Sequence, residues 1–122
     1  MQKKILVVDD DELVLLALEE LLRPKGYIVE TVDSGQKALD LAKKESFDLV
    51  ILDIVMPEVS GYEVCKKLRM LEGGEDIPII MLTAKNSDED REKGIEAGAN
   101  LFLSKPISPE KLVELVEKAL YR

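Results

Sequence analysis

Asp9 and Asp10 directly follow the apolar run Ile5-Leu6-Val7-Val8, and Asp53 follows Leu49-Val50-Ile51-Leu52 in the same way. Thr83 ends a third apolar run over 77–82, and Ser104-Lys105 follows a fourth, Leu101-Phe102-Leu103. If these runs lie side by side, three carboxylates, a hydroxyl and an ammonium meet at one edge. Carboxylates about 4 Å apart repel by between ~1 and ~4 kcal/mol per pair, so crowding them requires a compensating cation. Magnesium prefers oxygen ligands and keeps several waters, which suits one or two carboxylates plus a phosphate. Lys105 adds a further positive charge. An aspartate beside a hard metal and an ammonium is equipped for in-line phosphoryl transfer to or from that aspartate.

Blander readings exist for each residue. Acids at Asp9, Asp10, Asp11 and Glu12 also fit a helix N-terminus, where the macrodipole favours each by ~0.3–1 kcal/mol. That reading leaves Asp53 unexplained, because an acid between Leu52 and Ile54-Val55-Met56-Pro57 is costly without a partner. Thr83 alone could cap nearby backbone, and Lys105 alone could be a solvated surface lysine.

The elements that must position these groups alternate. Five short, branched apolar runs (5–8, 27–29, 49–52, 77–82 and 101–103) have strand length. Between them apolar residues recur at helical spacing: Val14, Ala17, Leu18, Leu21; Ala38, Leu41, Ala42; Val64, Cys65, Leu68, Leu71; and finally Leu112, Leu115, Val116, Ala119. Ser60 with Glu63 and Asn86 with Glu89 fit capping boxes, Ser108-Pro109 fits a helix start, and Gly26, Gly73-Gly74 and Gly98 fit stops. Strands alternating with helices imply right-handed crossovers and a parallel sheet covered on both faces. The expected fold is a doubly wound (βα)5 α/β domain over 1–122. Its fourth helix, about 87–97, carries six consecutive charges at 88–93 and only Ile95 as a large apolar anchor, so it is expected to be the least firmly docked. Pairs at i,i+4 are expected at Glu63–Lys67, Asp40–Lys44, Glu89–Lys93 and Glu114–Lys118, and carry no function.

Composition excludes several classes. The chain has 122 residues, 46% of them hydrophobic, enough for one core. With 25 acids against 17 bases the net charge is −8, which disfavours binding to nucleic acid or an anionic membrane. No histidine and a single cysteine, Cys65, remove histidine-based catalysis, a disulfide framework and a Cys-rich zinc site. The longest apolar run is six residues, 13–18, far from a membrane span, and the N-terminus lacks a signal-peptide core, so a cytoplasmic location is expected. A charged fraction of 34% fits a heat-adapted source.

Taken together, Asp9-Asp10, Asp53 with Met56-Pro57 and Gly61, Thr83-Ala84 and Lys105-Pro106 resemble the receiver domain of two-component response regulators, over essentially the whole chain. The resemblance implies the flavodoxin-like fold with strand order 2-1-3-4-5, the order of the chemotaxis receivers. It implies Asp53 as phosphoacceptor and Mg²⁺ held by Asp10, Asp9, Asp53 and the Val55 backbone carbonyl. Thr83 and Lys105 would bond phosphoryl oxygens, and Phe102 would occupy the aromatic switch position. The Lys105–Pro106 bond is commonly cis in this family. Val55 and Lys85 stand where the family tunes the lifetime of the phosphoryl group; the branched Val55 excludes water, and Lys85 cannot accept a proton while charged. The implied partners are a sensor histidine kinase or a histidine phosphotransfer protein, with a switching surface at helix 4, strand 5 and helix 5; a dimer formed on phosphorylation stays open. Such a chain is a signalling domain rather than a conventional enzyme.

Ile107 replaces the phenylalanine frequent after Lys-Pro. Residues 99–103 lack the Asp-Asp-Tyr run of the winged-helix transcription factors, which disfavours that class. A phosphatase of the haloacid dehalogenase type needs a second aspartate where Val55 stands. A flavodoxin-like carrier would meet four acids in its phosphate loop, and nucleotide enzymes need a glycine-rich loop that is absent. A receiver-like docking module independent of phosphorylation is the remaining alternative.

Overall fold

The computed structural model describes residues 2–121, so both ends of the expected 1–122 domain, Met1 and Arg122, lie outside the described residues. Five strands, β1 (Lys4–Val8), β2 (Ile28–Val32), β3 (Leu49–Leu52), β4 (Ile79–Thr83) and β5 (Leu101–Ser104), alternate with α1 (Glu12–Leu22), α2 (Gly35–Lys44), α3 (Gly61–Met70), α4 (Asp88–Ala97) and α5 (Pro109–Leu120). The strands form one parallel sheet in the order β2-β1-β3-β4-β5, as expected.

The period of two along each strand divides the interior. Leu6, Val8, Val50, Leu52, Ile79 and Met81 face α2, α3 and part of α4, meeting Ala38, Leu39, Val64, Cys65, Leu68 and Ala97. Ile5, Val7, Leu49, Ile51, Ile80 and Leu82 face α1 and α5, meeting Leu15, Leu18, Leu22, Leu112 and Val116. Cys65 lies within the first of these layers, where burial pushes its thiol up to about 11.

Each helix starts on a side-chain cap: Asp11, Ser34, Ser60, Ser87 and Ser108 accept backbone N–H bonds from the first turn. Several local expectations shift. The capping box of α4 is built by Ser87 and Asp90, one residue later than Asn86 and Glu89, because Ser87 is the extended residue whose hydroxyl reaches the Asp90 N–H. Ser60 accepts from the Glu63 N–H, but the Glu63 carboxylate turns to Lys67 at 3.1 Å. Glu89–Lys93 and Glu114–Lys118 pair as expected, whereas the Asp40 carboxylate accepts from the Gln36 amide. α1 ends at Leu22, and a short 3-10 turn, Arg23–Lys25, carries the chain to Gly26.

β2 runs to Val32, beyond the expected 27–29, and includes Glu30 and Thr31. It pairs on one side only, so partly exposed polar residues are tolerated there. β4 begins at Ile79 rather than at 77, since Pro78 has no N–H for the ladder.

α4 departs most from expectation. Ile95 is half exposed and belongs to neither core layer; the inner face is made by Gly94, Ala97 and the buried Asp90. A Cβ on Gly94 would lie 2.9 Å from Phe102 Cδ2 and 3.0 Å from Met81 Sδ, so the missing side chain is what lets the helix approach β5. Among the described residues no helix is long and apolar enough to cross a membrane.

Candidate functional site

The sheet register brings the chemistry to one edge. Val8 pairs with Leu52, so Asp9 and Asp53 leave the sheet side by side, with the Asp53 N–H bonded to the Val8 carbonyl at 3.0 Å. Thr83 pairs with Ser104, and Lys105 follows with its N–H on the Thr83 carbonyl at 2.9 Å. In parallel α/β sheets this carboxyl edge is where ligands bind.

Asp9 and Asp53 are buried, at 3% and 6% exposure, and Asp10 is exposed. Carboxylate oxygens of all three lie within 4.8 Å of one another. Lys105 Nζ reaches across to Asp9 Oδ2 at 2.7 Å and Asp53 Oδ2 at 3.0 Å. The remaining oxygens take backbone donors: Asp9 Oδ1 accepts from the Asp11 N–H at 2.9 Å, and Asp53 Oδ1 from the Val55 N–H at 3.3 Å. Gly61 closes the floor. A Cβ there would stand 2.2 Å from the Asp53 carbonyl oxygen, so only glycine lets α3 start this close to the end of β3.

Burial is the largest influence on Asp9 and raises its pKa; the Lys105 and Asp11 hydrogen bonds and the Lys105 charge oppose it, and the Asp53 charge adds to the rise. Burial alone would lower Lys105, but hydrogen bonds and charges from Asp9 and Asp53 together lift it above an ordinary lysine. The two directions have different causes, burial for Asp9 and the paired carboxylates for Lys105. A single ammonium serves two desolvated carboxylates, so the lysine is over-provided and Asp9 is under-compensated.

Thr83 is fully buried, and its hydroxyl accepts from the Lys85 N–H at 3.1 Å. Val55 is exposed at the rim. The Lys85 ammonium turns toward Asp90, 3.5 Å away. Phe102 is buried beside Gly94, with the Arg91 guanidinium 5.1 Å from its ring centroid and bonded to its carbonyl at 3.2 Å. The Lys105–Pro106 peptide is cis. The structure therefore gathers Asp9, Asp10, Asp53 and Lys105 into one cluster, sets Val55 beside Asp53 and Thr83 at the end of β4, and does not bring Phe102 or the Lys85 ammonium to it, since Phe102 packs against Gly94 and Lys85 turns to Asp90.

The response regulator receiver domain family matches residues 5–117. The chain belongs to that family. This receiver is 43% identical to the alkaline phosphatase synthesis transcriptional regulatory protein PhoP of Bacillus subtilis over 122 residues, all of this chain and 50% of that protein. It is 41% identical to the probable transcriptional regulator ycf29 of Porphyra purpurea, again over its whole length and 58% of the relative. The chain thus spans about half the length of the curated relatives it matches. Relatives named as transcriptional regulators give no support to the expectation that residues 99–103 set the chain apart from transcription-factor receivers.

Among solved structures, chemotaxis protein CheY4 of Vibrio cholerae superposes with a TM-score of 0.94 at 37% identity, covering 98% of this chain and 100% of that one. The receiver domain of sensor histidine kinase PA1611 from Pseudomonas aeruginosa PAO1, with a magnesium ion coordinated in its active site cleft, superposes with a TM-score of 0.92 at 31% identity over 100% of both chains. This chain is a receiver domain of a two-component response regulator, a signalling domain whose family is phosphorylated by histidine kinases and generally uses magnesium.

Sequence reasoning missed Tyr62, Asp90 and Arg91. A Ser-x-x-Asp spacing at Ser87 could have flagged Asp90, but the run of six charges hid which acid turns inward. For Tyr62 and Arg91 no local signal existed, since their partners lie 28 and 11 residues away.

Proposed function

We propose that residues 1–122 act as one cytoplasmic receiver that takes a phosphoryl group from the phosphohistidine of a partner kinase or phosphotransfer protein onto Asp53. The observation that carries this reading is the shared contact of Lys105 Nζ with Asp9 and Asp53 beside the exposed Asp10. Two buried carboxylates share one ammonium, an arrangement that leaves negative charge for a further cation, and an all-oxygen donor set suits magnesium. Asp9, Asp10, Asp53 and the Val55 carbonyl would hold it. When bound, magnesium neutralises charge on the phosphoryl oxygens.

An Asp53 oxygen attacks phosphorus in line with the departing imidazole nitrogen; an O–P bond forms, the P–N bond breaks, and the imidazole keeps the electron pair. Lys105, held above the ordinary lysine range, stays charged and pairs with one phosphoryl oxygen. Thr83 turns its hydroxyl from the Lys85 N–H to another oxygen, which couples the site to the loop before α4. Phe102 is already inside, so its part in a switch is repacking against Gly94 and Met81 rather than entry from solvent. The methyls of Val55 stand at the rim without a group to orient water, and the ammonium of Lys85 is engaged with Asp90, both of which favour a long-lived phosphoryl group.

Mass measurement after incubation with acetyl phosphate and magnesium tests the reading. The protein should gain one phosphoryl group and Asp53→Asn none; an unmodified wild type would overturn the assignment.

A further inference from the structure

Four polar or charged side chains are buried among the described residues: Asp9, Asp53, Thr83 and Asp90. The first three belong to the phosphoryl site, and the fourth does not. Asp90 lies in the first turn of α4, and its carboxylate is closely held. Oδ2 accepts from the Ser87 hydroxyl at 2.7 Å and the Ser87 N–H at 3.1 Å, while Oδ1 accepts from the Tyr62 hydroxyl at 3.1 Å and lies 3.5 Å from Lys85 Nζ. Tyr62 is on α3, so this bond ties the start of α4 to a different helix.

Both ends of the connection return to the site. Tyr62 follows Gly61, whose N–H bonds the Ile54 carbonyl at 2.8 Å and whose lack of a Cβ leaves room for the Asp53 backbone. At the other end, the N–H of Lys85 bonds Thr83 Oγ1 at 3.1 Å while its ammonium faces Asp90. A movement of Thr83 toward a phosphoryl group releases the Lys85 N–H and pulls on the loop that Ser87 and Asp90 anchor. Burial, and next the Asp90 carboxylate, push the Tyr62 hydroxyl up to about 12, so it remains a donor at neutral pH.

We infer that the Tyr62 hydroxyl and the Asp90 carboxylate form a latch that holds the β4–α4 loop and the first turn of α4 in the conformation seen here, and that phosphorylation must open it. Tyr62 is a positioning residue that acts through Asp90. The inference rests on Asp53 as phosphoacceptor. A contact made only in the resting conformation opposes the other one, and linkage makes the effect reciprocal: removing the contact must strengthen binding of whatever favours the open form.

The test compares wild type with Tyr62→Phe, which keeps the ring and removes only the hydroxyl. The probe is beryllofluoride with magnesium, a phosphoryl mimic, titrated by NMR, with amide exchange followed in both proteins. Tyr62→Phe should bind the mimic about five-fold more tightly and exchange faster at 88–97 before it is added. Asp90→Asn should shift affinity in the same direction. Faster exchange with unchanged or weaker affinity would reduce Tyr62 to a structural prop and overturn the latch. Unchanged exchange and affinity would overturn it as well. If wild type and variant both fail to bind the mimic, the Asp53 assignment fails, and the latch falls with it.

Discussion

Asp9 and Asp90 are both buried carboxylates beside a helix start, yet their surroundings push them in opposite directions. Asp9 shares one ammonium with Asp53, and burial, its largest influence, raises its pKa. Asp90 is held by a hydroxyl, a backbone N–H, a phenol and a lysine, and its pKa falls, chiefly through the Ser87 hydroxyl. An under-compensated acid favours another cation, whereas an acid met by several donors of its own resists change. The strand-end cluster is arranged to receive a ligand, and the first turn of α4 is arranged to hold a conformation.

The largest expected effect comes from removing the cation the strand-end acids share. Lys105→Ala leaves two desolvated carboxylates facing each other. Breaking a fully buried pair costs about 3–5 kcal/mol; with the Lys105 side chain 23% exposed, a loss of about 2–3 kcal/mol is expected in magnesium-free denaturant unfolding. A loss below about 0.5 kcal/mol, the scale of an ordinary surface substitution, would show that the acids do not depend on Lys105, and the contrast with Asp90 would weaken.

A smaller effect tests the exposed member of the cluster. Magnesium at about ten times its dissociation constant should stabilise the folded wild type by about 1.4 kcal/mol, a rise of about 5 °C in melting temperature for a domain of this size. Asp10→Ala should abolish that rise. Equal stabilisation of both proteins would place the metal elsewhere.

The smallest effect sharpens the Asp90 side. Its folded pKa lies below the ordinary value of 3.8, so its stabilising contribution is present above that value and is lost as pH falls through the folded pKa. The stability difference between wild type and Asp90→Asn should therefore hold from about pH 7 down to about pH 4 and shrink as pH falls below that. A difference that grew on acidification would contradict the hydrogen-bonded carboxylate.

Much of this was legible from local signals. Apolar runs closed by Asp9, Asp53 and Thr83 place those side chains at strand ends, because a strand covered on both faces is apolar throughout and a polar residue marks where it stops, although all three are buried in the fold. The helical stripes are local too, and so are the caps: Ser60 and Ser108 mark the starts of α3 and α5 where the structure has them. The start of α4 was misplaced by one residue, since Asn86 and Ser87 are both good caps and the choice depends on which hydroxyl or amide meets the Asp90 N–H.

By itself the sequence determined the alternation of strands and helices, the acidic strand ends and the absence of histidine chemistry, because all three follow from residue type and spacing along the chain. Only the tertiary structure decided that Lys105 bridges Asp9 and Asp53, that Ile95 faces outward while Asp90 faces inward, and that Tyr62 reaches across to α4. The bridging contacts join residues 28 to 96 positions apart. Sheet register and the close approach allowed by Gly61 and Gly94 select them, and neither has a signature in any single segment.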